Sequence, residues 1–372
     1  MENILMGGTV AFFITFFAIP VIIIVAKEKK LFDEPDNRKV HKSVIPNLGG
    51  LGIFAGFMIA TLLCVPKENN GLLQYFIAAA TVIFFLGLKD DILILSATKK
   101  FIGQLIAAAI IMKLGGAQIQ HLHGFLGIEK ISEVSSVILS LFTIIVITNS
   151  FNLIDGVDGL AASLGILTSS IFGVYFFING EQSFAVISFS LTCSLIGFLI
   201  YNFPPAKIFM GDTGSLLVGL INSILVIKFI NYSNTPNIPF HIESAPAVGF
   251  AILMLPLFDT LRVFGLRILS HRSPFSPDRN HIHHIILDLG FSHRNTTLIC
   301  FISNCIFIAV AIYFNSIGTT LLFGILFGMA LIFFTTIYYF RSSKRIKTLE
   351  DLNKNNSTHD YYSLVSETVE ID

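Results

Sequence analysis

The stretch SVILSLFTIIVITNSFNLIDGVDGLAASLGILTSSIFGVYFFI (136–178) decides the fold. It joins two apolar runs, about 134–151 and 159–178, whose only intervening charges are Asp155 and Asp158. Each run fits the roughly 17–25 residues of a membrane-spanning helix. A carboxylate at a bilayer boundary costs solvation free energy, so two placed together point to a site. Asp155 and Asp158 stand three apart at an expected helix start, where their side chains share one face. Asn149 and Asn152 precede them at the same spacing, and Gly156 and Gly159 permit close approach. Such a row suits a metal-bridged diphosphate or a nucleoside. Capping the next span would need one acid, not two acids and two amides.

The same alternation runs through all 372 residues. The chain is 53% hydrophobic and 13% charged, about half the charge of a soluble domain, with a mean hydropathy of +0.76. Cutting at polar breaks gives eleven segments, roughly 4–26, 48–66, 72–88, 100–114, 134–151, 159–178, 184–202, 214–230, 246–264, 297–314 and 319–340. The expected fold is therefore all-α, a polytopic integral membrane protein of about 11 transmembrane helices. Of the 24 lysines and arginines, all but Lys67, Lys113, Lys130 and Lys228 fall on one side. By the positive-inside rule that side is cytoplasmic, with the N-terminus outside and the C-terminus inside. The first span, followed by Lys27, Lys29 and Lys30, reads as retained and not as a cleaved leader. Residues 1–340 form the transmembrane domain, and 341–372 turn polar and read as a partly disordered cytoplasmic tail. External residues 114–133 carry a weak hairpin signal. The four cysteines lie in apolar stretches at unrelated spacings and suggest neither disulfides nor metal. A formal net charge of zero argues against a nucleic-acid partner.

Three more acids fall on the same side as Asp155 and Asp158. Asp90 and Asp91 end the third span in LKDD, and Asp212 opens the eighth in IFMGDTGS. Adjacent residues on a helix point about 100° apart, so Asp90 and Asp91 need not do the same job: one can face the site while the other holds a lysine such as Lys89 or Lys99. Five converging carboxylates repel one another, and a divalent cation relieves that repulsion. Phe209 offers a ring for stacking a base, although interfacial packing is its commoner use. Two basic loops complete the set. LFDEPDNRKVHKSVIPNLGGLG (31–52) brings His41 and Lys42, and SPFSPDRNHIHH (273–284) brings Arg279, His281, His283 and His284. Positive-inside topology explains most of these cations, but a multiply charged phosphate substrate also demands them. Zinc is a weaker reading of HIHH, since only His281 and His284 would share a helical face and no thiol is near.

Five motifs in this order, DEPDNRKVHKSVIPNLGG, KDD, NSFNLIDGVDGLA, NFPPAKIFMGDTGS and PDRNHIHH, resemble the polyprenyl-phosphate N-acetylhexosamine-1-phosphate transferases, relatives of the phospho-MurNAc-pentapeptide translocase. The likeness covers about residues 31–295. It implies transfer of a sugar 1-phosphate from a UDP-sugar to a membrane polyprenyl phosphate such as undecaprenyl phosphate, with release of UMP and a need for Mg2+, or Mn2+ in its place. It also implies a plasma-membrane enzyme with a cytoplasmic active site, and admits a homodimer. By this resemblance Asp212 is the magnesium ligand, joined by Asp155. Asp90 deprotonates the lipid phosphate with Asp91 in support, and Asp155 and Asp158 form a second acidic pair of nucleophilic or binding role. Phe209 stacks on uracil, Asn152 and Asn202 line the nucleoside pocket with Asn149 nearby, and Lys42 and His41 lie near the uridine. His281 acts near the diphosphate and sugar, with Arg279, His283 and His284 beside it. Ile282 interrupts the consecutive histidines of the MurNAc branch, so GlcNAc is the default donor sugar.

Two rival classes place acids in membranes differently. An ion-coupled transporter buries them near the midplane in broken helices, not at span ends. An intramembrane aspartyl protease of the GxGD type would need Gly at position 209, where this chain has Phe209.

Overall fold

Apolar runs of membrane length satisfy their own backbone only as helices or closed barrels, and this chain forms helices. The computed structural model describes residues 1–29, 45–66, 70–93, 95–271 and 280–354. In order these helices are α1 (Glu2–Glu28), α2 (Gly49–Cys64), α3 (Asn70–Leu93), α4 (Ala97–Ala109), α5 (Glu133–Ile154), α6 (Leu160–Ile178) and α7 (Gln182–Asn202). Then come α8 (Gly211–Tyr232), α9 (Ala245–Ile252), α10 (Met254–Leu269), α11 (Ile282–Asp288), α12 (His293–Tyr313) and α13 (Thr319–Lys354). Seven of them, α1, α5, α6, α7, α8, α12 and α13, are long and apolar enough to cross a bilayer. The bent pair of α9 and α10 makes an eighth candidate, and α2 is a shorter apolar helix. The chain is a polytopic helical membrane protein. One small departure from all-α is an antiparallel hairpin of β1 (His121–Phe125) and β2 (Ile128–Lys130), within the segment that carried the hairpin signal.

The expected span 246–264 is not straight. It breaks at Leu253 with an 84° bend between α9 and α10. Pro256 has no N–H to donate to the Ile252 carbonyl, so a continuous helix would leave that oxygen orphaned. Asn304 of α12, fully buried, takes over both broken partners. Its Nδ2 donates to Ile252 O at 2.9 Å, and its Oδ1 accepts from Leu255 N at 3.0 Å. Backbone freed at membrane depth is thus satisfied inside the protein.

Helix α8 is the axis of the bundle, buried at every residue from Thr213 to Ile227. It packs against α2, α3, α5 and α6. Small residues let backbones meet at its first turn. A Cβ on Gly50 of α2 would lie 2.2 Å from Gly214 N, and one on Gly87 of α3 would lie 2.5 Å from Thr213 Cα. That contact draws the ends of α3 and α8, and hence their aspartates, together.

Helix α13 runs 36 residues, about 54 Å, well beyond a hydrocarbon core of about 30 Å. The boundary expected at 340 is therefore not a helix end. RSSKRIKTLEDLNK (341–354) has neither proline nor glycine and is rich in helix formers, so the helix continues to Lys354. The rest of the expected tail, 355–372, lies outside the described residues.

Candidate active site

Asp91 organises the start of α8. Its Oδ1 accepts from Asp212 N at 2.8 Å, its Oδ2 from Thr213 N at 3.0 Å, and Thr213 Oγ1 donates to the same oxygen. Asn47 Nδ2 adds a longer bond of 3.3 Å. A carboxylate on the exposed N–H groups of a helix N-terminus is a favourable cap. Gly211 fits because its φ of +72° and the Asp91 oxygens, 2.7 and 2.8 Å from where a Cβ would stand, leave no room for a side chain. The loop before α8 is tied down by Phe209 N donating to Pro46 O at 2.8 Å and Gly49 N donating to Phe209 O at 2.9 Å. Asp91, expected among the catalytic acids, holds the start of α8 and with it Asp212.

Asp90 points elsewhere, as the 100° offset requires. Its Oδ1 accepts from Leu95 N and its Oδ2 pairs with Lys100 Nζ. The same ammonium lies 2.7 Å from Asp212 Oδ2, so Asp90 and Asp212 share one cation. Asn152 Nδ2 donates to Asp212 Oδ1 at 2.8 Å and to Ser215 Oγ at 3.0 Å. Among the described residues, Lys100 and not Lys89 or Lys99 is the cation that pairs with Asp90 and Asp212. It stands where two carboxylates converge.

The turn between α5 and α6 separates Asp155 from Asp158. Residues 155–159 are not helical, so the two acids do not share a helical face as expected. Asp155 is half-buried beside Asp212 and Asp91. Loss of solvent, then repulsion from Asp212, Asp91 and Asp158, pushes its carboxyl well above the ordinary range. Asp158 is buried and anchors the turn instead. Its Oδ2 accepts from Ala206 N at 3.1 Å, its Oδ1 meets His293 Nδ1 at 3.3 Å, and its carbonyl accepts from Thr297 Oγ1 at 2.9 Å. Asn202 braces the same junction, accepting from Gly159 N and donating to Ile208 O, each at 2.9 Å. Asn149 exchanges amide bonds with Gln104 of α4, at 2.7 and 3.2 Å. The geometry therefore gives Asp158, Asn149 and Asn202 bracing contacts where ligand contacts were expected.

The histidines approach from the other side. His281 precedes α11, and its Nδ1 is 2.9 Å from Asp259 Oδ2 while Asp259 Oδ1 accepts from Ile282 N at 2.9 Å. Arg262 Nη2 reaches the same Asp259 oxygen at 3.0 Å. The His281 and His283 rings lie nearly parallel at 5.8 Å, and the His284 ring is 4.3 Å from His283. His283 covers the acidic turn, since a Cβ on Gly156 would lie 2.5 Å from its Nε2. Burial, and then the charge of His284, push the His283 imidazole well below its usual pKa, so it is neutral near pH 7.

Residues 73–230 match the profile described as glycosyl transferase family 4. A probable undecaprenyl-phosphate N-acetylglucosaminyl 1-phosphate transferase of Bacillus subtilis is 36% identical over 85% of this chain and 86% of its own length. A decaprenyl-phosphate N-acetylglucosaminephosphotransferase of Mycobacterium leprae is 34% identical over 81% of each chain. The undecaprenyl-phosphate alpha-N-acetylglucosaminyl 1-phosphate transferase of Escherichia coli K12 is 29% identical over 73% of this chain and 72% of its own. The chain belongs to the polyprenyl-phosphate N-acetylhexosamine-1-phosphate transferase family.

Of the family motifs, four contribute to one cluster: Asp90 and Asp91, Asn152 and Asp155, Asp212, and the histidine segment through Gly156. His41, Lys42 and Arg279 lie outside the described residues. Lys100, Gln104, Asp259, Arg262 and His293 were not singled out by the motifs, yet each holds a member of them, Arg262 through the Asn280 carbonyl. Among the described residues no three His, Cys, Asp or Glu surround a single point. Magnesium, however, uses one or two carboxylates and completes its shell with phosphate oxygens and water. Asp212, which already accepts a cation at Lys100 and has Asp155 within electrostatic reach, fits a metal shared with a phosphorylated ligand and not an all-protein cage.

Proposed function

We propose that the protein transfers N-acetylglucosamine 1-phosphate from UDP-GlcNAc to undecaprenyl phosphate, releasing UMP, at the cytoplasmic face of the plasma membrane. The observation that carries this is the meeting of Asp90 and Asp212 at Lys100, with Asn152 bonded to the other oxygen of Asp212 and Asp155 within electrostatic reach. The named activities of the relatives support the same reading. A lipid phosphate sits at headgroup depth and a nucleotide sugar is cytosolic, so their meeting place is a cluster at helix ends. The topology proposed is eleven crossings, with the N-terminus outside, residues 1–340 as the transferase domain and the chain's end in the cytoplasm. A homodimer is compatible with it.

An oxygen of the lipid phosphate attacks the β-phosphorus of the UDP-sugar directly. The new P–O bond forms as the bond to the α-phosphate bridge breaks, and its electron pair leaves with UMP. One phosphoanhydride replaces another, so the reaction is freely reversible. Asp90 takes any proton carried by the incoming phosphate. Lys100 and the amide of Asn152 contact diphosphate oxygens, and His281, oriented by Asp259, and His284 face the sugar diphosphate. His283 is neutral and closes over the acidic turn. Phe209 stacks on uracil, with Lys42, His41 and Arg279 of the basic loops completing the anion pocket. Asp212 and Asp155 would hold Mg2+ (or Mn2+), which when bound would neutralise charge on the diphosphate and on the leaving UMP. A cavity of about 310 Å3 walled by Phe142, Val146, Phe250, Leu257, Leu261 and Phe323 suits part of the isoprenoid chain.

The test is UMP release by purified protein given polyprenyl phosphate, magnesium and a panel of UDP-sugars. Release with UDP-GlcNAc is expected, and release with no sugar on the panel overturns the proposal. Exchange of labelled UMP into UDP-sugar without lipid acceptor would contradict direct attack. Gly156→Ala drives a methyl into the His283 ring and is expected to lower kcat by roughly 10²-fold, as ångström-scale misplacements do. Full activity in that variant would show that the acidic turn and the histidine segment work apart.

A further inference from the structure

Arginines just past a span on the cytoplasmic side ordinarily lie solvated among headgroups. Arg341 does not. It is 5% exposed, although it lies beyond the apolar run of α13. Its Nη2 is 2.7 Å from Asp288 Oδ2 and its Nη1 donates to Asn280 Oδ1 at 3.3 Å. Asn280 precedes the seven-residue α11 and Asp288 ends it, so one guanidinium spans both ends of the histidine helix. Lys344, one turn further along α13, donates to Asp288 O at 3.3 Å. The Asn280 carbonyl accepts from Arg262, which pairs with Asp259, which in turn holds His281 and Ile282 N. A continuous chain of charge-assisted bonds therefore runs from α13 to His281, and the same α11 presents His283 to Gly156.

We propose that Arg341 is a positioning residue for the reaction, and that the cytoplasmic extension of α13 is a strut fixing the histidine segment over the acidic cluster. Resting on the transferase reading, this gives the chain beyond 340 a part in turnover that its polar composition does not suggest. A planar guanidinium suits two acceptors at fixed separation, which an ammonium on the same stem does not.

The test uses the full chain. Arg341→Ala is expected to lower kcat about 10- to 100-fold with a smaller change in KM for UDP-sugar, because the uridine contacts stay intact while the histidines at the reacting diphosphate lose register. Arg341→Lys should fall between. Arg341→Glu and Asp288→Arg should each impair turnover, and the double variant should recover much of it, since the ion pair is rebuilt with reversed polarity. Hydrogen exchange read by mass spectrometry needs no turnover. Arg341→Ala should raise exchange across residues 280–290 and leave α8 unchanged. Unaltered exchange there, kcat within twofold of wild type, or no recovery in the folded double variant would each overturn the strut. If the wild type released no UMP, the transferase reading would fall and the exchange result would still decide the strut.

Discussion

Asp212→Ala is expected to lower UMP release on the order of 10³-fold without unfolding the protein, since loss of a charge aimed at the reacting phosphate removes stabilisation realised in the transition state. The fold should survive because the start of α8 is held through backbone groups. Asp91 caps the N–H groups of residues 212 and 213, and Gly211 supplies the turn. What disappears is the acceptor shared by Lys100 and Asn152, which leaves Asp90 to face the incoming diphosphate alone. Asp212→Asn, which keeps the shape and drops the charge, should be nearly as inactive. Turnover within tenfold of wild type, measured on protein with an unchanged melting transition, would remove Asp212 from the centre of the site.

Lys100→Ala should have the next largest effect, a fall in kcat/KM of about 10²-fold, comparable with losing one charged donor to a phosphoryl group. Without the ammonium they share, the Asp90 and Asp212 carboxylates repel each other. Two consequences then have opposite signs. The diphosphate loses a partner and binds more weakly, but the pocket becomes more negative, so magnesium binds more tightly. Magnesium titrations of the reaction should therefore show a lower half-saturating concentration together with a lower maximal rate. Lys100→Arg should regain part of the rate. A raised magnesium requirement in Lys100→Ala would mean that the lysine does not compete for the cation position.

Which acids belong together was legible in the sequence, because the runs between them have membrane length and the positive-inside count puts them on one side. What each acid does was less so. Asp90 and Asp91 were separable by helix geometry, but their partners depend on the short turn from α3 to α4, which brings Lys100 and not its neighbours against Asp90. That lysine was hidden because topology already accounts for cytoplasmic lysines. Asp155 and Asp158 looked like one face of a helix, yet the chain turns there, and Asp158 turns away to Ala206 and His293. Asp259 carried a readable signal, a lone acid inside the apolar segment 246–264. Pro256 in that segment likewise foretold the break, but its satisfaction by Asn304 is a contact 49 and 52 residues distant that no local pattern encodes. The extension of α13 to Lys354 was not legible for a simple reason: polarity marks where a helix leaves the membrane, not where it ends.

The most direct measurement is pulsed electron paramagnetic resonance of Mn2+ bound to the purified protein, with and without UDP-GlcNAc. If acids from separate helices share one cation with the diphosphate, phosphorus coupling to the manganese should appear when the nucleotide sugar is added. It should vanish in Asp212→Asn. Manganese that shows no phosphorus coupling, or coupling that persists unchanged in Asp212→Asn, would contradict the shared-cation site.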